Sequence, residues 1–431
     1  MDRGTFKEGI DYLHKRLLNL PDKRIGDNSF ISMKDIGLSA FSVFFTQSPS
    51  FLEHQKLLNK LAGKSNAKSL FRIDHIPSDN HIRDILDEVP PSEIFPVYDY
   101  LLSRADKAGE LDSYRYLDNK LLMPFDGLHY FSSKNIHCKK CSCRHHKDGT
   151  TTYTHSMVSS VLVHPAKRQV LPLSPEFIEP QDGHEKQDCE LAAAKRWLEI
   201  HGKKYAKLGI IVLGDDLYCH QPFCKSVLNT GYDFIFVCKP ESHKTLYKDL
   251  EGLSKLGAIK EIEIKRNKEV WRCRYINEIE IKDEEDALKV NWCELVIHNR
   301  AGKRLYYNTF VTNIAITDKN VFKVVEAGRT RWKTENELNN TLKNHGYFLE
   351  HNYGHGKKYL SSLLATMILL SFLFHTLLLL TDKRYRAIRN YWPRKTFFQQ
   401  LRTLLFYMYF ATWSALMEWM VNAGEFSIDS S

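Results

Sequence analysis

The spacing of apolar positions along the chain changes twice. From about residue 30 to 115 apolar side chains recur every three or four residues, as in Ile36 to Phe45 and Phe51 to Leu61, the period that gives a helix one buried face. Pro77, Ser78 and Asp79 stand ahead of Ile82, Ile85 and Leu86, and Pro90, Pro91 and Ser92 follow. Both groups mark helix starts, because a short polar side chain can cap the free amides of a first turn. An all-helical first quarter is predicted, either a scaffold or a DNA-end-binding module. After Leu121 the period becomes that of strands: LLMPFDGLHYF, TTYTHSMVSSVLVHP and KRQVLPLSPEFI form an antiparallel meander. A helix from Lys186 to Tyr205, the buried strand LGIIVLG, a helix to Asn229 and the strand YDFIFVCK then alternate, as in a parallel half-sheet. Open α/β sheets carry their chemistry at the carboxyl ends of such strands, and LGIIVLG ends on Asp215 and Asp216.

Between about 255 and 305 charged and apolar residues alternate, as in IKEIEIKRNKEVWRCRYINEIEIK, which predicts a β-rich insertion. The strand YYNTFVTNIAI then leads into a helix holding RTRWKTENELNNTLKN, and an apolar and basic helical tail follows. Two stretches of the tail, Leu363 to Leu380 and Leu404 to Val421, have the composition of membrane spans, and the first is followed by Lys383, Arg384, Arg386 and Arg389. The first has only minimal length and carries Thr366, Ser371, His375 and Thr376; Glu418 interrupts the second. Buried core helices are therefore expected, with no membrane partner, and a membrane-associated protein with a cytosolic α/β domain is the rival. The predicted organisation is a helical domain over 1–118, a catalytic α/β core over 119–254 and 306–362, a β-rich insertion over 255–305, and a helical region over 363–431. No internal repeat or low-complexity tract is present.

A chain of 431 residues exceeds one ordinary compact core, and its 43% hydrophobic and 26% charged residues are ordinary for a globular fold. The net charge of +9 permits a polyanionic partner without demanding one. Nine cysteines, an odd number, and a first stretch without a secretion-type apolar run predict a reducing, cytoplasmic location. In IHCKKCSCRHH, Cys138, Cys141, Cys143 and His145 or His146 are zinc-type ligands. Four ligands within nine residues are tight for a tetrahedron, and no distant pair completes them. A loop of reduced thiols is preferred, with structural zinc at Cys138, Cys141 and Cys143 the lesser alternative. His345, His351 and His355, with Glu350 among them, read as a packed polar loop. The segment from Lys383 to Arg402 mixes seven basic residues with Tyr385, Tyr391, Trp392 and Phe397, and suits phosphate contact with stacking or a solvated connector equally.

Phosphoryl transfer on DNA needs two divalent cations held by carboxylates, and three acids from separate elements suffice. Asp126 on the first strand, Asp215 at the end of LGIIVLG and a Glu on the helix after the last strand meet this requirement. Each has a blander account: Asp-Gly is commonly a turn, paired aspartates at a strand end commonly cap a helix, and an Arg-to-Glu pair on a helix is commonly a surface ion pair.

Taken together, FDGLHYF, VLGDDLY, and FVTNIAI followed by RTRWKTENELNNTLKN resemble the three acid motifs of bacterial insertion-sequence DDE transposases, over about residues 120 to 360. The β-rich insertion between the second and third acids is similar to that of the Tn5-like group, which carries a Tyr, Arg, Glu, Lys signature on its third-acid helix. The resemblance implies an α/β fold with a ribonuclease-H-like catalytic core. It also implies a catalytic and metal-binding triad of Asp126, Asp215 and Glu335, two Mg²⁺ or Mn²⁺ ions, double-stranded DNA (element ends and target) as substrate, and a homodimer pairing two ends at the bacterial nucleoid. Arg331, Lys343 and Arg329 are the implied DNA contacts. The chain departs from the signature in two places: Gly328 stands where the group has Tyr, and Lys343 comes one residue late. Arg331 lies four residues before Glu335, on one helix face, while Glu337, the second choice, points the other way. Asp216 takes a position that varies in the family. An inactive, domesticated DNA-binding relative and a metal-dependent nuclease without strand transfer are the alternatives within this fold.

Overall fold

A computed structural model describes residues 4–22, 24, 30–58, 63–180, 188–424 and 426. Six helices come first: α1 (Thr5–Leu18), α2 (Met33–Phe45), α3 (Phe51–Leu57), α4 (Asn66–Phe71), α5 (Asp79–Leu86) and α6 (Phe95–Lys107). The first capping signal acts as expected, since Ser78 accepts a hydrogen bond from the His81 amide at the head of α5, whereas Pro91 and Ser92 lie in a short turn ahead of α6, which starts at Phe95 without a side-chain cap. Helix also forms before residue 30, where α1 buries Phe6, Ile10, Leu13 and Leu17.

The strands follow: β1 (Leu121–Ser133), β2 (Ser142–His145), β3 (Thr151–Leu162), β4 (Leu171–Pro172) and β5 (Glu176–Ile178). The predicted third strand is two short pieces, because Pro172 and Pro175 withhold ladder amides, and β2 is an addition to the expected meander. The expected helix from Lys186 starts outside the described residues; its visible part is α7 (Glu190–Trp197), a π turn over Leu198–Gly202, and α8 (Lys203–Tyr205). Then come β6 (Ile210–Gly214), α9 (Gln221–Asn229), β7 (Asp233–Val237), α10 (Lys244–Lys255), β8 (Lys260–Arg266), β9 (Glu269–Glu280), β10 (Lys289–Asn299) and β11 (Arg304–Thr312).

The protein is mixed α/β. Its strands join one sheet in the order β2-β3-β1-β6-β7-β11-β10-β9-β8, with β4 and β5 pairing on β3. β1 runs antiparallel to β3 and parallel to β6, and β6 runs parallel to β7. The β-rich insertion is no separate body: β11 pairs antiparallel with β7, and β10, β9 and β8 extend the same sheet outward.

After β11 come α11 (Val321–Arg329), a π turn over Thr334–Asn339, α12 (Asn340–Asn344), α13 (Leu360–Thr381), α14 (Lys383–Tyr391), α15 (Arg394–Tyr407) and α16 (Trp413–Ala423). α13 is long and apolar enough to cross a membrane by length and composition, yet 89% of its most apolar window is buried inside the fold. It packs on α1, α2, α5 and α6, so the first and last quarters of the chain share one hydrophobic core. Several of its polar groups find protein partners. The Thr366 and Ser371 hydroxyls donate to carbonyls four residues back, Tyr98 donates to the Thr366 carbonyl at 2.6 Å, and His375 bridges the Phe45 carbonyl (2.8 Å) and the Tyr385 hydroxyl (2.9 Å). The second candidate span is not one helix: α15 stops at Tyr407 and α16 starts at Trp413.

Candidate active site

The parallel pairing of β1 and β6 sets Pro124 opposite Leu213, which carries Asp126 and Asp215 to the same level at neighbouring strands. Asp126 lies inside β1 opposite Ser159 of β3, and Asp215 follows the last residue of β6 and caps a short turn by accepting the Leu217 amide at 2.9 Å. Glu335 comes from the π turn. The Arg331 guanidinium joins it to Asp126, with Nη1 lying 2.9 Å from Glu335 Oε1 and 3.6 Å from Asp126 Oδ1. One further turn along, Asn339 Nδ2 donates to Asp126 Oδ2 at 3.0 Å. The three predicted acids therefore meet, from three separate elements.

The electrostatics of Asp126 record that meeting. Its carboxyl is pushed up to about 7, chiefly by burial; Arg331 opposes the rise, while Glu335, Glu190 and Asp215 add to it. Glu190 is a fourth acid that the motifs did not reveal. It sits in the first turn of α7 and accepts the Tyr218 hydroxyl at 2.7 Å through Oε1. Its carboxylate packs over Gly127, where any Cβ would collide with it. The Asp-Gly pair is thus no turn: it lies in a strand, and the glycine makes room for an acid. The available signal was the Tyr after Asp215, a buried hydroxyl needing an acceptor.

The competing acids are committed elsewhere. Asp216 accepts the Lys239 amide at 2.6 Å and the Ser242 hydroxyl, and lies 3.6 Å from His243 Nε2. Glu337 faces Arg168 at 3.8 Å across a cleft on another side of the helix. Of the predicted DNA contacts, Arg331 is at the site. Arg329 lies against the rings of Tyr306 (4.7 Å) and Trp271 (5.7 Å), and Lys343 pairs with Glu350 at 2.7 Å. Gly328 is where it is for packing: a Cβ there would press on Phe310 and Ile235, so no Tyr fits.

Several tail arginines serve the fold. Arg386 donates to the Leu379 and Leu380 carbonyls, Arg389 to that of Trp392, and Arg402 to those of Thr46 and Gln47. The zinc-type ligands divide as well. His145 and His146 turn to the Thr151 and Thr152 hydroxyls, and Cys143 lies near the Cys141 carbonyl. Cys138 and Cys141 instead face His155 and His355, so the distant pair missing from the sequence reading is supplied by the fold.

Asp126 thus feels three other carboxylates, Glu335, Glu190 and Asp215, and one guanidinium, and a group of acids of this kind suits hard divalent cations, which take oxygen ligands and relieve the mutual repulsion. No protein-family model fits the sequence, and no curated protein matches it.

Proposed function

We propose that the chain is a DNA transposase of the DDE class, which hydrolyses a phosphodiester at the ends of its own element and joins the freed 3′-hydroxyl to target DNA. The observation that carries this reading is the nearness of three acids from separate elements: Arg331 joins Glu335 to Asp126, and Asp215 stands level with Asp126 at the end of the neighbouring parallel strand. The strand arrangement supports it. β3, β1, β6 and β7 are neighbours in that order, with β1 antiparallel to β3 and parallel to β6 and β6 parallel to β7, and β4 and β5 pairing on β3, which is compatible with the ribonuclease-H-like core that this reading requires.

Asp126, Asp215 and Glu335 would hold two Mg²⁺ or Mn²⁺ ions, with Glu190 within reach of the same charge. Such ions supply activation of water or a 3′-hydroxyl and stabilisation of the leaving oxygen. The chain's own part is positional. Arg331, held between two carboxylates, is aimed to clamp a phosphate oxygen at the cluster once cations share the acids. Asn339 fixes the Asp126 carboxylate so that one oxygen stays directed into the site. The late Lys343 finds a reason in the helix, since a π turn holds an extra residue and lets the eighth position after Glu335 fall near where a regular helix brings the seventh. The cleft on the flank of this helix, about 630 Å³, is rimmed by Arg168, Arg394 and the exposed Tyr391, a set suited to backbone phosphates and stacked bases. A homodimer that pairs two ends belongs to the same proposal.

Purified protein incubated with Mg²⁺ or Mn²⁺ and duplexes carrying the DNA that flanks its own coding sequence should leave 3′-hydroxyl nicks and joined products. Nicks without joining would assign a nuclease, binding without nicks a domesticated relative, and full activity in Asp215→Asn would remove that acid from the triad.

A further inference from the structure

We infer that Cys138, Cys141, His155 and His355 form a structural zinc site that ties the hairpin between β1 and β3 to the loop after the third-acid helix. This stands independently of the transposase reading. The four ligand atoms all lie within 4.8 Å of one another. The Cys138 and Cys141 sulfurs are 4.0 Å apart, and the two Nε2 atoms 3.1 Å apart. Three of the sulfur-to-nitrogen distances are 3.6, 3.4 and 3.6 Å. A tetrahedral zinc with ordinary bond lengths requires edges of about 3.8 Å between sulfurs, 3.5 Å from sulfur to nitrogen and 3.3 Å between nitrogens. The cluster has that shape and size.

Hydrogen bonding alone does not account for it. His355 Nδ1 lies 2.8 Å from the Gly356 carbonyl and so carries a proton there, which directs the other ring nitrogen inward. In an uncharged cluster at most three protons then remain for five close contacts between polar atoms. A cation satisfies all of them at once, with the thiol protons released to solvent. The His355-to-carbonyl bond is also the support that zinc-bound imidazoles ordinarily have, because it fixes tautomer and ring orientation. His155 is held on its flank by the Tyr130 and Phe131 rings, at 5.8 and 5.7 Å. Cys141, His155 and His355 are buried and Cys138 is half-buried, so the ligands are largely enclosed, as those of structural zinc sites are.

The consequence is mechanical. His355 follows the third-acid helix, and its ring packs at 4.6 Å on Phe131, which lies on the same strand as Asp126. Zinc would lock the far end of β1 to the segment leaving that helix.

The test is elemental analysis and zinc-edge X-ray absorption on the full-length protein, expressed with zinc and purified without chelator. About one zinc per chain, with two sulfur and two nitrogen neighbours, is expected. Cys141→Ser and His355→Ala should lose the bound metal, and Cys143→Ser should keep it. A shell with three sulfurs, loss of zinc in Cys143→Ser, or zinc retained by Cys141→Ser would overturn the assignment. Should the ligand variants fail to fold, wild-type protein grown in cobalt decides. Strong tetrahedral ligand-field absorption with thiolate charge transfer upholds the site; weak octahedral absorption, or no bound cobalt or zinc, refutes it.

Discussion

Two clusters sit along β1, and they differ in nearly everything except their reach across the sequence. The carboxylate cluster at Asp126 is built from oxygen, stands at the ends of parallel strands, and keeps Glu335 half in solvent, its side chain 54% exposed. The thiol-imidazole cluster beyond it is built from sulfur and nitrogen and is enclosed by aromatic rings. Hard, open ligand sets exchange their cations and admit substrate, whereas soft, closed ones retain theirs and only hold structure. One strand therefore carries a site suited to chemistry and another suited to its alignment.

The largest expected effect separates the two at once. Asp126→Asn, Asp215→Asn and Glu335→Gln should each lower DNA cleavage on the order of 10³-fold while zinc content stays at the wild-type level, measured on the same preparations. Loss of zinc from an acid variant would break the distinction.

Next in size is a stability effect with a definite sign. Asp126 is held up near 7 in the folded chain, far above its ordinary range, chiefly by burial. Its contribution is fully present below the unfolded value and is lost as pH rises through about 7. Divalent-free wild type should lose stability between pH 5 and 8, and Asp126→Asn should remove most of that loss, on the order of a few kcal/mol by chemical denaturation. Added Mg²⁺ should restore the wild type at pH 8 but not the variant. An equal pH slope in both proteins would show that the crowding of acids is not felt at Asp126.

Gly127→Ala should destabilise by about 1–3 kcal/mol, since its Cβ meets the Glu190 carboxylate, and should lower cleavage in parallel. Smallest of all, Glu337→Gln should change stability by less than about 0.5 kcal/mol and leave cleavage within about twofold, because its partner across the cleft is a solvent-exposed arginine. Loss of cleavage in this variant, with Glu335→Gln active, would exchange the two glutamates.

Those contrasts also show what the chain made legible. Asp126 and Asp215 could be found because each follows an apolar run, and strand pairing converts run ends into neighbours, whereas Glu335 is marked by its spacing of four residues from Arg331. Glu190 was hidden: it follows a polar segment with no periodicity, and only the folded position of Tyr218 and the missing side chain at Gly127 betray it. The β character of residues 255–305 is legible from their alternation, but alternation does not say which sheet they join; β11, the strand that follows, decides that by pairing with β7. The cysteine loop is a similar case. Cys138 and Cys141 were visible as a pair, yet His155 sits within a strand and His355 lies 214 residues beyond Cys141, a separation that only the fold closes.

The burial of α13 bears on how the chain is made. Its partners α1 and α2 leave the ribosome hundreds of residues earlier and must wait, partly unpacked, until the apolar helix arrives to complete their core. A chain deprived of those first helices would leave much of this 22-residue apolar helix uncovered, with only its contacts to other elements such as β4 and α14 remaining. Such a fragment would be claimed by lipid or by its own kind, so an amino-terminal deletion should pellet with membranes or aggregate.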